Sequence, residues 1–191
     1  MRWTVSLTVV SVMVLSSFTM AGRAADLPGI APETVTDYIH AVIEADRTFY
    51  TIHVVERMQK QDGAPAAENW RAKKKTLPLP AQFLAEASDL ASKTGTKVRY
   101  RLISLWPINP QNGPDDESEK KGLEAVREHP ERSATSTVKI GDQTYFQAIY
   151  ADLAVSQSCV GCHNTHPRSP KKDFKMNEVM GGLVIEIPLR Q

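Results

Sequence analysis

Both cysteines of this 191-residue chain lie in one pentapeptide, Cys159-Val160-Gly161-Cys162-His163. With no other cysteine, a fold held together by several disulfides is excluded. Three chemistries use such a pair: attachment of a c-type haem, a thioredoxin-type redox disulfide and a zinc site. The disulfide would want a strand–helix context and needs no histidine. The zinc site would need a fourth ligand and usually a second Cys/His pair.

The first 24 residues are typical of a secretory signal peptide. Met1-Arg2 gives a basic start, residues 3–20 are almost all apolar or small, and cleavage after Ala24 follows small residues. An uncleaved membrane anchor is the alternative, because an apolar run of this length could just span a bilayer. We expect residues 1–24 to be removed, leaving residues 25–191 as a single periplasmic domain with no stable membrane span.

Export favours one of the three chemistries. Haem of the c type is assembled outside the cytoplasm, where two neighbouring thiols add to its vinyl groups and the adjacent histidine reaches the iron from the same side. We therefore predict one covalent haem c, with Cys159 and Cys162 as attachment points and His163 as proximal iron ligand. The formal net charge of +1 argues against a nucleic-acid partner.

Apolar periodicity predicts an α+β domain, one antiparallel sheet covered by helices. A capping pattern at residue 34 and helical spacing up to residue 61 predict a long N-terminal helix. Gly141-Asp142 reads as a hairpin turn, and the segment carrying the cysteines reads as irregular. The further helices are predicted at residues 80–92 and 119–128, and the strands at residues 97–105, 135–140, 144–152 and 182–188.

The residues after the cysteine pair carry a resemblance to a known family. Residues 159–175 read CVGCHNTHPRSPKKDFK, which resembles the haem-binding stretch of the Tll0287-like family of periplasmic c-type haem domains. Shorter segments extend the resemblance over roughly residues 35–190. It implies a PAS-like antiparallel sheet flanked by helices, carrying one covalent haem, in free cytochromes or in sensory ectodomains. Some members use an extra cysteine as second axial ligand, and this chain has none to spare.

The basic residues behind the motif are candidates for the haem rim. His166 is too close to His163 to reach the opposite haem face, so we expect it to shape the loop or pair with a haem propionate. Lys171, Lys172 and Lys175 are close enough to neutralise propionates as well, or they form an exposed basic stretch.

The sixth iron ligand is predicted from helix geometry. At about 100° per residue, His53 lies on the same stripe as Ile39, Phe49 and Tyr50, which we expect to face the core. His40 falls on the opposite side, towards solvent. His53 is therefore the predicted ligand, and the alternatives are Met176, Met180 or an open five-coordinate site.

These features predict an exported mono-haem c-type cytochrome that transfers single electrons to an unknown redox partner protein. The alternative is a haem-based redox or gas sensor, which would work with a separate signalling partner because no output domain follows the last strand. Peroxidase-like catalysis would need an open distal site with acid–base residues, which the sequence does not identify. We therefore expect an electron-transfer or sensory protein rather than an enzyme. These features are compatible with an oligomeric assembly.

Overall fold

The structure is a computed structural model that describes residues 29–189. The predicted signal peptide, residues 1–24, lies outside the described residues. Within residues 29–189, no helix is long and apolar enough to cross a membrane.

A four-stranded antiparallel sheet forms the centre of the domain, with strand order β1-β4-β3-β2. The last strand of the chain is therefore an inner strand, paired with β1 on one side and β3 on the other. The predicted hairpin joins β2 to β3, and Gly141 at its turn has φ of +60°, which glycine adopts without steric cost. The strands are β1 (Arg99–Ile103), β2 (Ala134–Ile140), β3 (Gln143–Leu153) and β4 (Val179–Pro188).

The predicted long N-terminal helix is present, but it is not α-helical throughout. It begins as α1 (Pro32–Phe49), continues as a π-helical segment (Tyr50–Glu56) and ends as the short helix α2 (Arg57–Lys60). The other helices are α3 (Pro80–Ser92), α4 (Glu117–Glu128) and α5 (Gln157–Thr165). The expectation of an α+β domain with a long N-terminal helix is confirmed.

Helices cover both faces of the sheet. Alternate residues of β4 point to opposite faces, so Leu183 and Ile185 pack with Ile43 of α1 and Leu84 of α3. Val184 points the other way, into a second cluster under α4. Because both faces are buried, β4 is an almost continuous apolar run rather than an alternating one.

Helix α5 corrects the sequence-based expectation that the cysteine segment is irregular. It begins after Ser156, whose hydroxyl accepts a hydrogen bond from the Ser158 backbone N–H at 3.0 Å. The Ser156 hydroxyl also donates to Glu56 at 2.7 Å, and the Ser158 hydroxyl donates to Gln59 at 2.9 Å. These contacts attach the start of α5 to the end of the long helix.

Candidate functional site

A cavity of about 780 Å³ lies between the long helix, α5, the end of β1 and the start of β4. Volumes of this size are usual for small-molecule and cofactor sites. Much of its lining is apolar, and includes Val55, Leu79, Leu102, Ile108 and Met180.

Helix α5 presents the cysteine motif to this cavity. Residues three and four apart lie on the same side of a helix, so Cys159, Cys162 and His163 all line one wall. Both thiols are free; Cys159 is half-buried and Cys162 is exposed. Burial raises the pKa of both thiols, so they are held in the protonated form. Among residues 29–189, no group of three or more His, Cys, Asp or Glu side chains is placed to hold a metal ion.

The imidazole of His163 is held in place and kept neutral. Its ring stands edge-on to Phe174, with ring centroids 5.8 Å apart and planes at 88°. Burial lowers the pKa of His163, and the nearby His166 and Arg47 lower it further. Neutral imidazole is the form that binds metals. Its Nδ1 atom is buried and makes no hydrogen bond to the described residues.

Asn164 fixes the loop that supports this ring. Its side-chain amide donates to the Phe174 carbonyl at 2.9 Å, and its side-chain oxygen accepts from the Phe174 N–H at 3.0 Å. These reciprocal bonds draw residues 166–175 back onto α5. Asn164 is therefore a site residue whose role the spacing of the motif did not reveal.

A family model matches residues 31–188, described as Tll0287-like. The chain belongs to the Tll0287-like family. Among solved structures, the crystal structure of the cyanobacterial heme-protein Tll0287 is similar, with a TM-score of 0.51 and 16% sequence identity. That match covers 85% of this chain and 99% of the other, and at such identity it shows a shared fold only. No curated protein matches the chain significantly.

In this member of the Tll0287-like family, the basic residues behind the motif divide between two environments. His166 lines the cavity, and its Nδ1 accepts a hydrogen bond from the Arg168 backbone N–H at 3.2 Å. Lys171 instead pairs with Asp173 at 2.5 Å and Glu178 at 3.1 Å. Of the described residues that line the cavity, none is one of the lysines predicted as propionate partners, which are Lys171, Lys172 and Lys175.

The helical face predicted for His53 is wrong. His53 is exposed and packs on Phe49, which is itself 62% exposed, with ring centroids 4.9 Å apart. Every fourth residue from Arg47 lines the cavity instead, namely Arg47, Thr51, Val55 and Gln59. In a regular α-helix, residues four apart are rotated by about 40° relative to each other about the helix axis. The wider π-helical turn rotates the chain less per residue, which cancels much of that offset. The geometric reason for choosing His53 as an iron ligand is thereby removed.

The positions of three other candidate side chains also differ from, or refine, the expectation. His40, expected to face solvent, is half-buried and stacks on Tyr150, with ring centroids 4.0 Å apart. Met180 is buried and lines the cavity. Met176 is 37% exposed and is not among the lining residues of the described chain.

A buried ion pair on the long-helix wall was missed by the sequence analysis. Arg47 (5% exposed) forms a salt bridge with Asp152 (8% exposed) at the end of β3. Burial alone would lower the pKa of Arg47, but the Asp152 and Glu44 carboxylates raise it above its ordinary value. Arg47 follows the buried Ile43 by one helical turn, so an arginine on the inward stripe was the sequence signal for this pair.

Proposed function

We propose that this chain is an exported haem protein that carries one haem c, bound covalently through Cys159 and Cys162, with His163 as an iron ligand. The observation that carries the proposal is the position of these side chains on one wall of a cavity large enough for a cofactor. Export by residues 1–24 belongs to the proposal, because haem of this type is attached outside the cytoplasm.

The donor set fits the chemistry of haem attachment. Two free, protonated thiols can add to two vinyl groups, and a neutral imidazole one residue further can bind the iron. The solved neighbour is itself described as a heme-protein. A PAS-like arrangement, as the family resemblance implies, is part of the same proposal.

The biochemical role we propose is one-electron transfer, which a bound haem supplies by cycling between its ferric and ferrous states. The chain's own residues set the conditions for it. Phe174 and Asn164 fix the His163 ring, and apolar lining residues restrict water, which tunes a haem potential. Cys162 is exposed, so the cofactor edge attached there would lie near the surface, where an unidentified redox partner protein can approach.

Spectroelectrochemical titration of the purified protein tests this role. We expect a reversible single-electron transition, with a slope of about 59 mV per tenfold change in the oxidised-to-reduced ratio. The Cys159→Ala/Cys162→Ala variant should lose covalent haem, and His163→Ala should change the spectrum of the iron. His129→Ala is the matched control, because His129 is exposed and does not line the cavity. Irreversible reduction, or no redox transition, would contradict the proposal.

Sensing of a gas or of redox state, with a separate signalling partner, is a second candidate. It is favoured by the long-helix wall of the cavity, where the residues are Arg47, Thr51, Val55 and Gln59 rather than a histidine, methionine or cysteine. Rapid carbon monoxide uptake by the ferrous protein would favour this role. A haem that is inert to carbon monoxide would favour the electron carrier.

A further inference from the structure

The guanidinium of Arg47 has donors that the described protein leaves unsatisfied. Its Nη2 pairs with Asp152, but its Nε and Nη1 atoms are buried without a hydrogen-bond partner. The Glu44 carboxylate lies 4.0 Å from Nη1, beyond hydrogen-bond distance. The neighbouring Thr51 hydroxyl donates to the Arg47 carbonyl at 2.8 Å, and it accepts no hydrogen bond from Nε or Nη1.

An unsatisfied buried donor costs about 1–3 kcal/mol, and more when it is charged. Natural proteins rarely accept that cost unless a ligand or water completes the bonds. Arg47 and its partner Asp152 both line the cavity. Among the described lining residues, Arg47 is the only arginine or lysine. It is therefore the strong cationic donor available to any further acceptor in the cavity.

The position of Arg47 argues against a haem propionate as that acceptor. Arg47 lines the same cavity as Cys159 and His163, and its partner Asp152 lies four residues before Ser156, where α5 begins. In haem, the vinyl groups that join the thiols lie on the edge of the ring opposite the propionates. A side chain near Cys159 would therefore meet the attached edge of a bound haem rather than its propionate edge.

We propose that Arg47, oriented by Asp152, is the hydrogen-bond donor for a small anion that binds beside the haem iron. This inference rests on the proposed haem site. A guanidinium offers several N–H donors in one plane, so one can bind the carboxylate of Asp152 while others bind the incoming anion. The Asp152 carboxylate offsets the charge of Arg47 when no anion is bound, and it keeps the side chain from turning away.

Ligand titrations of the haem-loaded protein test the proposal, with fluoride added to the ferric form and carbon monoxide to the ferrous form. Fluoride is an anion that accepts strong hydrogen bonds, whereas carbon monoxide is neutral and accepts them poorly. We expect Arg47→Leu to weaken fluoride binding by about tenfold or more, the scale of a hydrogen bond to a charged group. Carbon monoxide affinity should change much less, and Arg47→Lys should lie between wild type and Arg47→Leu.

Two further variants keep the comparison interpretable. Arg47→Met combined with Asp152→Leu removes the pair without leaving a buried unpaired charge, a replacement that proteins often tolerate. It should lose fluoride affinity as Arg47→Leu does. Arg71→Leu is the matched control, because Arg71 also pairs with a carboxylate, Glu86 at 2.6 Å, but is exposed and outside the cavity lining. Its fluoride affinity should equal that of the wild type.

Three results would overturn the proposal: a ferric haem protein that binds no fluoride, equal fluoride affinity in all the variants, or a changed midpoint potential with unchanged fluoride affinity. The last result would assign Arg47 to a propionate. Intact mass, measured before any ligand is added, separates these outcomes from failure of the haem site. A protein without the added mass of haem rejects the proposed function. A protein with that mass, whose Arg47 variants bind fluoride as the wild type does, rejects only this inference.

Discussion

At the residue scale, the folded protein disfavours protonation of His40. Its ring stacks on Tyr150 and its Nε2 atom is buried without a hydrogen-bond partner. Burial lowers the pKa of His40 from its ordinary 6.5, and the nearby Asp37 offsets this only in part. The unfolded chain therefore binds this proton more readily than the folded protein does. This contribution to stability is present above about pH 6.5 and is lost as the pH falls towards and through the folded pKa.

The His40→Phe variant tests this pH dependence, because phenylalanine keeps a stacked ring but cannot take up a proton. We expect its free energy of unfolding, measured by denaturant titration of the haem-loaded protein, to fall less than that of the wild type between pH 7.5 and pH 5. His129→Phe is the control, because His129 is exposed and should leave the wild-type dependence unchanged. Equal pH dependence in His40→Phe and wild type would reject the assignment.

At the residue scale, the haem motif could be predicted from local spacing, whereas the Arg47–Asp152 pair depends on contacts between distant segments. The spacing of Cys159, Cys162 and His163 is a property of one short segment, and the structure puts all three on the cavity wall. Haem attachment itself stays a prediction. Arg47 lies one helical turn after the buried Ile43, which signals its burial, but its partner Asp152 comes from the far end of β3. Nothing in the sequence around Arg47 names that partner.

Among the secondary-structure elements, β1 and β4 approach each other closely at Gly181. A Cβ added there would overlap the Ile103 carbonyl oxygen, a backbone atom that cannot move without shifting β1. We expect Gly181→Ala to destabilise the fold by about 1–3 kcal/mol, the usual cost of overpacking. Thermal unfolding followed by circular dichroism measures the loss.

Gly161→Ala provides the comparison for that substitution. A Cβ at Gly161 in α5 would meet nothing within 4 Å. Replacing a glycine inside a helix by alanine stabilises it by about 0.5–1 kcal/mol. The two alanine variants should therefore shift the melting temperature in opposite directions. A Gly181→Ala protein as stable as the wild type would contradict the tight approach of the strands.

At the element scale, regular apolar patterns were predictable and locally irregular ones were not. The hairpin and the last strand followed from alternation, turn residues and an apolar run. The π-helical segment was not predicted, since helical arithmetic assumes one turn size. The face of His53 was assigned wrongly for another reason: Phe49, the apolar residue with which it was grouped, is exposed within the regular part of the helix. Helix α5 has only 9 residues, too few to be stable alone, and depends on its contacts with Glu56 and Gln59.

At the scale of the whole molecule, the cavity is lined by residues from several separate elements of the fold. Its walls come from the long helix, α5, β1 and β4, so a cofactor inside it would contact all of them. We expect the haem-loaded protein to melt several degrees higher than the Cys159→Ala/Cys162→Ala variant prepared without haem, as expected for a group bound by the folded state alone. Calorimetry of the two proteins measures the difference. Identical melting temperatures would contradict a haem in this cavity.

Covalent haem attachment is decided by the intact mass of the mature protein, made with working haem-ligation machinery. We expect a polypeptide heavier by one haem, with colour that acid–acetone cannot extract, because both thiols would be bonded to the cofactor. The Cys159→Ala/Cys162→Ala variant should lose that added mass. A colourless protein with the mass of the polypeptide alone, or one that holds zinc, would show that no haem c is attached here.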